Sequence, residues 1–154
     1  MKNLWDQKTA SRLKKTPLQL RVFSSQLLGL DSDLVLHGGG NTSVKLRETN
    51  IFGEEEDILY VKGSGRNLAT IDADGFTPLR LTNMKKLAEL VHISDTMMVR
   101  EQQLSMTNPD APSPSVEALL HAIIPFSWID HTHADAVVTL TNTPKGEKLI
   151  QDVY

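Results

Sequence analysis

The sequence predicts an α/β layered domain, on three observations. Short apolar runs with strand-like patterning recur at residues 44–47, 58–61 and 76–81. Segments with helical apolar spacing alternate with them, and no repeat or low-complexity stretch interrupts the order. The chain has 154 residues, 40% of them apolar and 23% charged, which is enough for one domain with a buried core.

Each element has its own justification. Among Leu13, Leu18, Leu20, Val22, Phe23, Leu27 and Leu28, the later positions fit a helical face. Pro17 suits a first turn, so the helix starts near Thr16, and Gly29 can end it. Leu34-Val35-Leu36 reads as a short apolar strand running into a glycine loop. Val44 and Leu46 alternate with Lys45 and Arg47, which predicts a strand. Residues 51–57 are acidic and turn-like, and residues 58–61 form the next strand. Asp72-Ala73-Asp74-Gly75 is the turn before a strand over 76–81. Thr82 or Asn83 caps a helix through Met84, Leu87, Leu90 and Val91, and Ser94-Asp95 opens another that runs to about Met106. Three prolines, Pro109, Pro112 and Pro114, make residues 107–114 a loop. Ser115 caps a helix bearing Val116, Leu119, Leu120 and Ile123. A strand then carries His131 and His133, followed by residues 137–140, and the apolar runs 123–130 and 136–140 are expected to bury its flanks. Residues 145–154 read as a helix just begun, without a glycine cap. That fits a short terminal helix or a chain cut inside an element.

Charge and composition exclude several classes. A formal charge of −3 and a pI near 5.9 give no reason to expect nucleic acid or an anionic membrane as partner. With no cysteine, any metal must be held by His, Asp, Glu or water. No apolar stretch approaches the ~20 residues of a membrane span. Met1-Lys2-Asn3-Leu4-Trp5-Asp6 lacks the apolar core of a signal peptide, so a cytoplasmic protein is expected.

The chemistry concentrates in four stretches. In His131-Thr132-His133 two imidazoles, two residues apart on a strand, point to one face and can share a metal. Gly38-Gly39-Gly40-Asn41-Thr42-Ser43 and Lys62-Gly63-Ser64-Gly65 can turn backbone N–H groups toward an anion, though neither has Walker or dinucleotide spacing. With Ser113 and Ser115 they suggest a phosphate pocket. Glu117, in the first turn of a helix, is either a cap and dipole partner or a general acid/base beside the metal. His121, four residues on, lies on the same helical face and reads as structural. His37 reads as packed beside the glycine run, and His92 as a surface residue.

Taken in order, Gly40-Asn41-Thr42-Ser43, Lys62-Gly63-Ser64-Gly65, Ser115-Val116-Glu117 and His131-Thr132-His133 resemble the class II aldolase/adducin family. Asp130-His131-Thr132-His133-Ala134-Asp135-Ala136, Val61-Lys62-Gly63-Ser64-Gly65 and the opening around Trp5-Asp6 resemble one branch most. That branch is the aldolase half of bifunctional rhamnulose-1-phosphate aldolase/alcohol dehydrogenases. The resemblance implies a three-layer α/β/α sandwich with a mainly antiparallel sheet, residues 1–154 being the N-terminal part of a single domain that is incomplete at its C-terminus. It implies Zn²⁺, or another divalent metal, on His131 and His133, with Glu117 moving protons. It implies that Asn41, Ser64, Gly65 and Ser115 hold a substrate phosphate, with the Gly40 backbone close by. The family's third histidine ligand lies far downstream and is not in this chain, and Val116 stands where several relatives have a second serine. The implied activity is that of a zinc-dependent aldehyde-lyase. It would cleave L-rhamnulose 1-phosphate, or a similar ketose 1-phosphate, to dihydroxyacetone phosphate and L-lactaldehyde. A sugar-phosphate 4-epimerase or dehydratase and a non-catalytic, adducin-like assembly module are the alternatives. The implied partners are the small-molecule sugar phosphate and further copies of the chain, as a homo-oligomer that is a tetramer in the intact parent.

Overall fold

The computed structural model describes residues 3–153; Met1, Lys2 and Tyr154, the outer residues of the two terminal stretches read above, lie outside it. The chain opens with α1 (Gln7–Leu13), capped by the Asp6 carboxylate, and α2 (Pro17–Gly29). Pro17 stands in the first turn of α2 with Thr16 before it, as the sequence predicts. Gly29 is the last residue of α2, with Leu30 as the cap, and it is needed for space. A Cβ there would stand 2.1 Å from the Ala69 backbone nitrogen, so only glycine lets α2 lie against the 3₁₀ turn Leu68–Thr70.

The strands are β1 (Asn41–Thr49), β2 (Glu55–Lys62), β3 (Phe76–Arg80) and β4 (Trp128–His131). They form one sheet in the order β3-β2-β1-β4, every pairing antiparallel. The remaining helices are α3 (Leu81–Ala88), α4 (Asp95–Leu104), α5 (Ala118–Ile123), α6 (Asp135–Thr141) and α7 (Gly146–Val153). Strand alternation sorts the core into two faces. Leu59, Val61 and Leu79 pack with Leu81, Met84, Ala118 and Ala122 from α3 and α5. On the other face Tyr60 and Phe76 meet Val22 of α2 with Val35, Leu68 and Ile71. Burying one leucine-sized side chain is worth about 1.5–3 kcal/mol, so Leu59, Leu68, Leu79 and Met84, all at 0% exposure, carry much of the core. The result is the α/β/α layering and antiparallel sheet that the family resemblance implied.

Local differences have identifiable causes. β2 begins at Glu55, inside the stretch read as a turn. Arg47 pairs with Asp57 at 2.9 Å and Thr49 with Glu55, so the acidic residues are the solvent side of a hairpin arm. Residues 34–36 are not a strand: a turn ends at Leu34, and the Leu34 and Val35 amides both bond the Asp31 carbonyl. α3 starts at Leu81 after Arg80, so neither Thr82 nor Asn83 is its cap. Glu117, and not Ser115, occupies the N-cap position of α5, while the Ser115 carbonyl accepts from the Ala118 amide.

The largest departures surround the histidine pair. β4 ends at His131, and residues 135–141 form α6, none of whose residues is buried, where a strand over 137–140 was expected. The His133 and Asp135 amides bond the Leu34 and Asp33 carbonyls. Those bonds pull the chain out of the sheet, and with it the alternation that Val137 and Val138 would have followed. The flanking run 123–130 is also mostly uncovered: Ile129 is buried, but Ile123, Phe126 and Trp128 are exposed. His37 is exposed with φ +51°, and not packed. His92 is exposed as expected. Among the described residues no helix is long and apolar enough to cross a membrane.

Candidate functional site

The site forms where β1 begins, β4 ends and α5 starts. Register places Asn41 opposite His131 across the β1–β4 pair. The Asn41 side chain is fully buried, and its Nδ2 donates to Glu117 Oε2 at 2.8 Å. Glu117 Oε1 lies 3.6 Å from His131 Nδ1 and 3.9 Å from His133 Nε2. His131 and His133 therefore converge although only the first is in a strand, their ring centroids 5.0 Å apart.

This trio has the makings of a metal site. One ligand atom from each of Glu117, His131 and His133 lies within 4.8 Å of the other two. Metal bonds of about 2.0–2.1 Å in tetrahedral geometry place ligand atoms roughly 3.3 Å apart, so the three side chains would close by up to about 1.5 Å around an ion. His131 Nδ1 is buried without a hydrogen-bond partner. An orphaned buried polar atom costs about 1–3 kcal/mol, and a cation would satisfy it. Two imidazoles and a carboxylate suit Zn²⁺ and several other divalent first-row ions, which such a site binds with different affinities.

Electrostatics favour a charged carboxylate here. Burial pushes the Glu117 carboxyl upward, but the Asn41 hydrogen bond and the neighbouring His131, His133 and His121 outweigh it, and the group sits below its ordinary value. His121 is fully buried, with Nδ1 2.7 Å from Ser43 Oγ. Burial, followed by the His131 charge, holds it down at about 4, so the ring is neutral near pH 7.

Two glycine loops close on this centre. An added Cβ at Gly40, where φ is +65°, would stand 3.0 Å from the His131 carbonyl, and one at Gly39 would meet the His133 ring at 3.3 Å. Glycine is therefore what lets the first loop lie against the histidine pair. Lys62, almost wholly buried, ties this loop to the second: its Nζ donates to the Gly38 carbonyl at 2.8 Å and the Arg66 carbonyl at 2.9 Å. Burial lowers the Lys62 ammonium, and Glu117 partly opposes this. The Ser64 amide donates to the Ser113 carbonyl at 2.8 Å, and the Glu117 amide to Ser115 Oγ at 3.3 Å.

Asn41, Ser115, Glu117, His131 and His133 thus share one centre, and Gly40 approaches it. Ser64 and Gly65 are exposed in the adjoining loop, reached through backbone contacts with Ser113 and Gly38. A separate cleft of about 810 Å³ between α3 and α4 includes none of these residues. Sequence reasoning passed over Lys62 as part of a motif and Ser43 as a loop hydroxyl. Arg21 was also missed. Only 1% exposed, it bonds Asp130 at 2.6 Å and the Ser43 and Ile129 carbonyls, pinning α2 to the end of β4. The alternation of Asn41, Ser43 and Lys45 on β1 was the available signal for Ser43.

Comparison with known proteins identifies the family to which this fold belongs. Residues 23–153 match the family model described as class II aldolase and adducin N-terminal domain. The chain is 37% identical, over all of its 154 residues, to an uncharacterized oxidoreductase, YuxG, of Bacillus subtilis strain 168. It spans only 22% of that protein's length. A solved structure, the N-terminal class II aldolase domain of a conserved protein from Thermoplasma acidophilum, superposes with a TM-score of 0.87 at 41% identity, covering 99% of this chain and 70% of that one. The chain belongs to the class II aldolase and adducin family.

Proposed function

We propose that this chain forms the aldolase part of a metal-dependent lyase acting on a sugar phosphate. L-rhamnulose 1-phosphate, or a similar ketose 1-phosphate, is the substrate, and dihydroxyacetone phosphate and L-lactaldehyde are the products. The observation that carries the reading is the convergence of Glu117 with His131 and His133 at the mouth of two glycine loops. His131 and His133, with Glu117 in reach, would hold the divalent cation. Bound there, it would supply Lewis-acid stabilisation of the charge that develops on the ketose oxygens.

The chain's own residues account for the rest. Glu117, kept ionised by Asn41, takes the proton from the C4 hydroxyl. The C3–C4 bond breaks, its electron pair passes into an enediolate over C2 and C3, and C4 leaves as the aldehyde. Glu117 then returns the proton to C3, so that atoms and charge balance. Ser64, Gly65 and Ser115, with the Gly40 backbone, anchor the phosphate. That remote binding energy serves to orient the reacting carbons. Exposed Val116, Leu120, Ile123, Phe126 and Trp128 beside the site support self-association into a homo-oligomer, a tetramer in the intact protein. The oxidoreductase named in the longer relative would then reside in the remainder of such a protein.

The test is incubation of the Zn²⁺-loaded protein with L-rhamnulose 1-phosphate, followed by ³¹P and ¹H NMR. Dihydroxyacetone phosphate and lactaldehyde in equal amounts are expected. A new sugar phosphate of the same mass would mean epimerisation, loss of water would mean a dehydratase, and no reaction with any ketose 1-phosphate would favour an assembly module.

A further inference from the structure

Three alternate residues of β1 each bond a successive level of α5 and its flanks. Asn41 Nδ2 meets Glu117 Oε2 at 2.8 Å, Ser43 Oγ meets His121 Nδ1 at 2.7 Å, and Lys45 Nζ donates to the Ala122 carbonyl at 3.2 Å and to the Ile124 carbonyl. The match follows from geometry. Positions i, i+2 and i+4 of a strand share a face and advance about 6.8 Å per pair, while i and i+4 of a helix advance about 6 Å. A strand and a helix lying side by side can therefore form rungs at Asn41–Glu117 and Ser43–His121 together. One rung leaves a six-residue helix free to pivot about its contact; a second, one turn away, fixes both its height and its rotation.

We propose that His121 is a positioning residue for Glu117: the Ser43–His121 rung sets the helix so that the Glu117 carboxylate faces His131 and His133. This rests on the acid/base reading of Glu117. Two observations separate His121 from an ordinary packed histidine. It is wholly buried, yet its one hydrogen bond goes to the strand that also holds Glu117. Its ring also stands 6.2 Å from that of His131, so it is a neighbour of the centre it orients.

Three variants of the metal-loaded protein test this. His121→Leu and Ser43→Ala remove the rung from either end, and His121→Asn keeps a polar atom near the Nδ1 position. Expected for the first two is a kcat loss of about tenfold or more, with KM changed less than about threefold, and recovery of most of the loss in His121→Asn. A second readout is the Asn41 side-chain NH₂ resonance in ¹⁵N NMR of the metal-free protein, which reports its bond to Glu117 without turnover. It should move in His121→Leu and Ser43→Ala and return in His121→Asn. If His121→Leu does not fold, Ser43→Ala decides. An unmoved Asn41 resonance, or kcat within twofold of wild type in a folded rung variant, overturns the proposal. So does a loss that falls equally on stability and kcat and is not rescued by asparagine. If the wild-type protein cleaves no ketose phosphate, the proposed activity fails, and the Asn41 resonance alone still decides the role of the rung.

Discussion

Asn41 and Glu117 lie 76 residues apart in sequence and are joined by a 2.8 Å hydrogen bond from Asn41 Nδ2 to Glu117 Oε2. The bond ties the first residue of β1 to the residue before α5, and it offsets the burial that would otherwise neutralise the carboxylate. The amide therefore has a chemical consequence: it keeps Glu117 in the form that accepts a proton.

Asn41→Ala should accordingly shift the pH dependence of cleavage. Without the hydrogen bond, burial acts with less opposition and the Glu117 pKa rises. Protonation then persists to higher pH, so the acidic limb of the kcat profile moves upward. A limb that stays in place would show that Asn41 does not tune Glu117.

Metal binding should be visible as stability. A ligand that binds only the native state at 100 times its Kd adds about 2.7 kcal/mol. Zn²⁺ added to chelator-treated protein should raise the thermal midpoint of wild type but not of His131→Ala or His133→Ala. An equal rise in all three would place the ion elsewhere.

His121 predicts a pH-dependent stability. Its folded pKa, about 4, lies below the 6.5 of the unfolded chain, so the unfolded state binds more protons between those values. Its contribution is fully present above pH 6.5 and is lost as pH falls toward 4. At 1.36 kcal/mol per unit the loss from this group is about 3 kcal/mol. Denaturant titrations from pH 7 to 4 should give a shallower slope for His121→Asn than for wild type. Parallel slopes would contradict the buried neutral ring.

Arg21 and Asp130 predict a coupling. Asp130→Ala leaves a guanidinium that is 1% exposed without its carboxylate and should cost about 1–3 kcal/mol. Replacing both partners, as Arg21→Met with Asp130→Ala, should recover part of that loss, because no buried charge remains. Additive losses in urea unfolding would mean that the pair is not coupled.

Much of this was legible in sequence because it follows local rules. Pro17 opens α2 through its fixed φ, Gly29 is its last residue, and the alternation of Val44 and Leu46 marks β1. The candidate site residues stood out as motifs, since Gly40, Glu117, His131 and His133 each stand in a short recognisable string. What sequence could not give was the contact set. Val137 and Val138 favour a strand locally, yet the amides of His133 and Asp135 bond a turn about a hundred residues earlier and send the chain into α6. The functions of Ser43, Lys62 and Arg21 exist only once distant carbonyls and rings come beside them, and no local pattern encodes that distance.

In the proposed reaction the Glu117 carboxylate carries protons beside the histidine pair, a role that Glu117→Gln removes. The amide keeps the shape of the side chain and can still accept from Asn41, but it cannot take the C4 hydroxyl proton. In the Zn²⁺-loaded protein kcat for L-rhamnulose 1-phosphate cleavage should fall about 100-fold or more, the usual scale of lost general acid/base catalysis, with fold and phosphate affinity retained. Turnover within a factor of two of wild type, in a folded and metal-loaded variant, would reduce Glu117 to a helix cap and contradict the account.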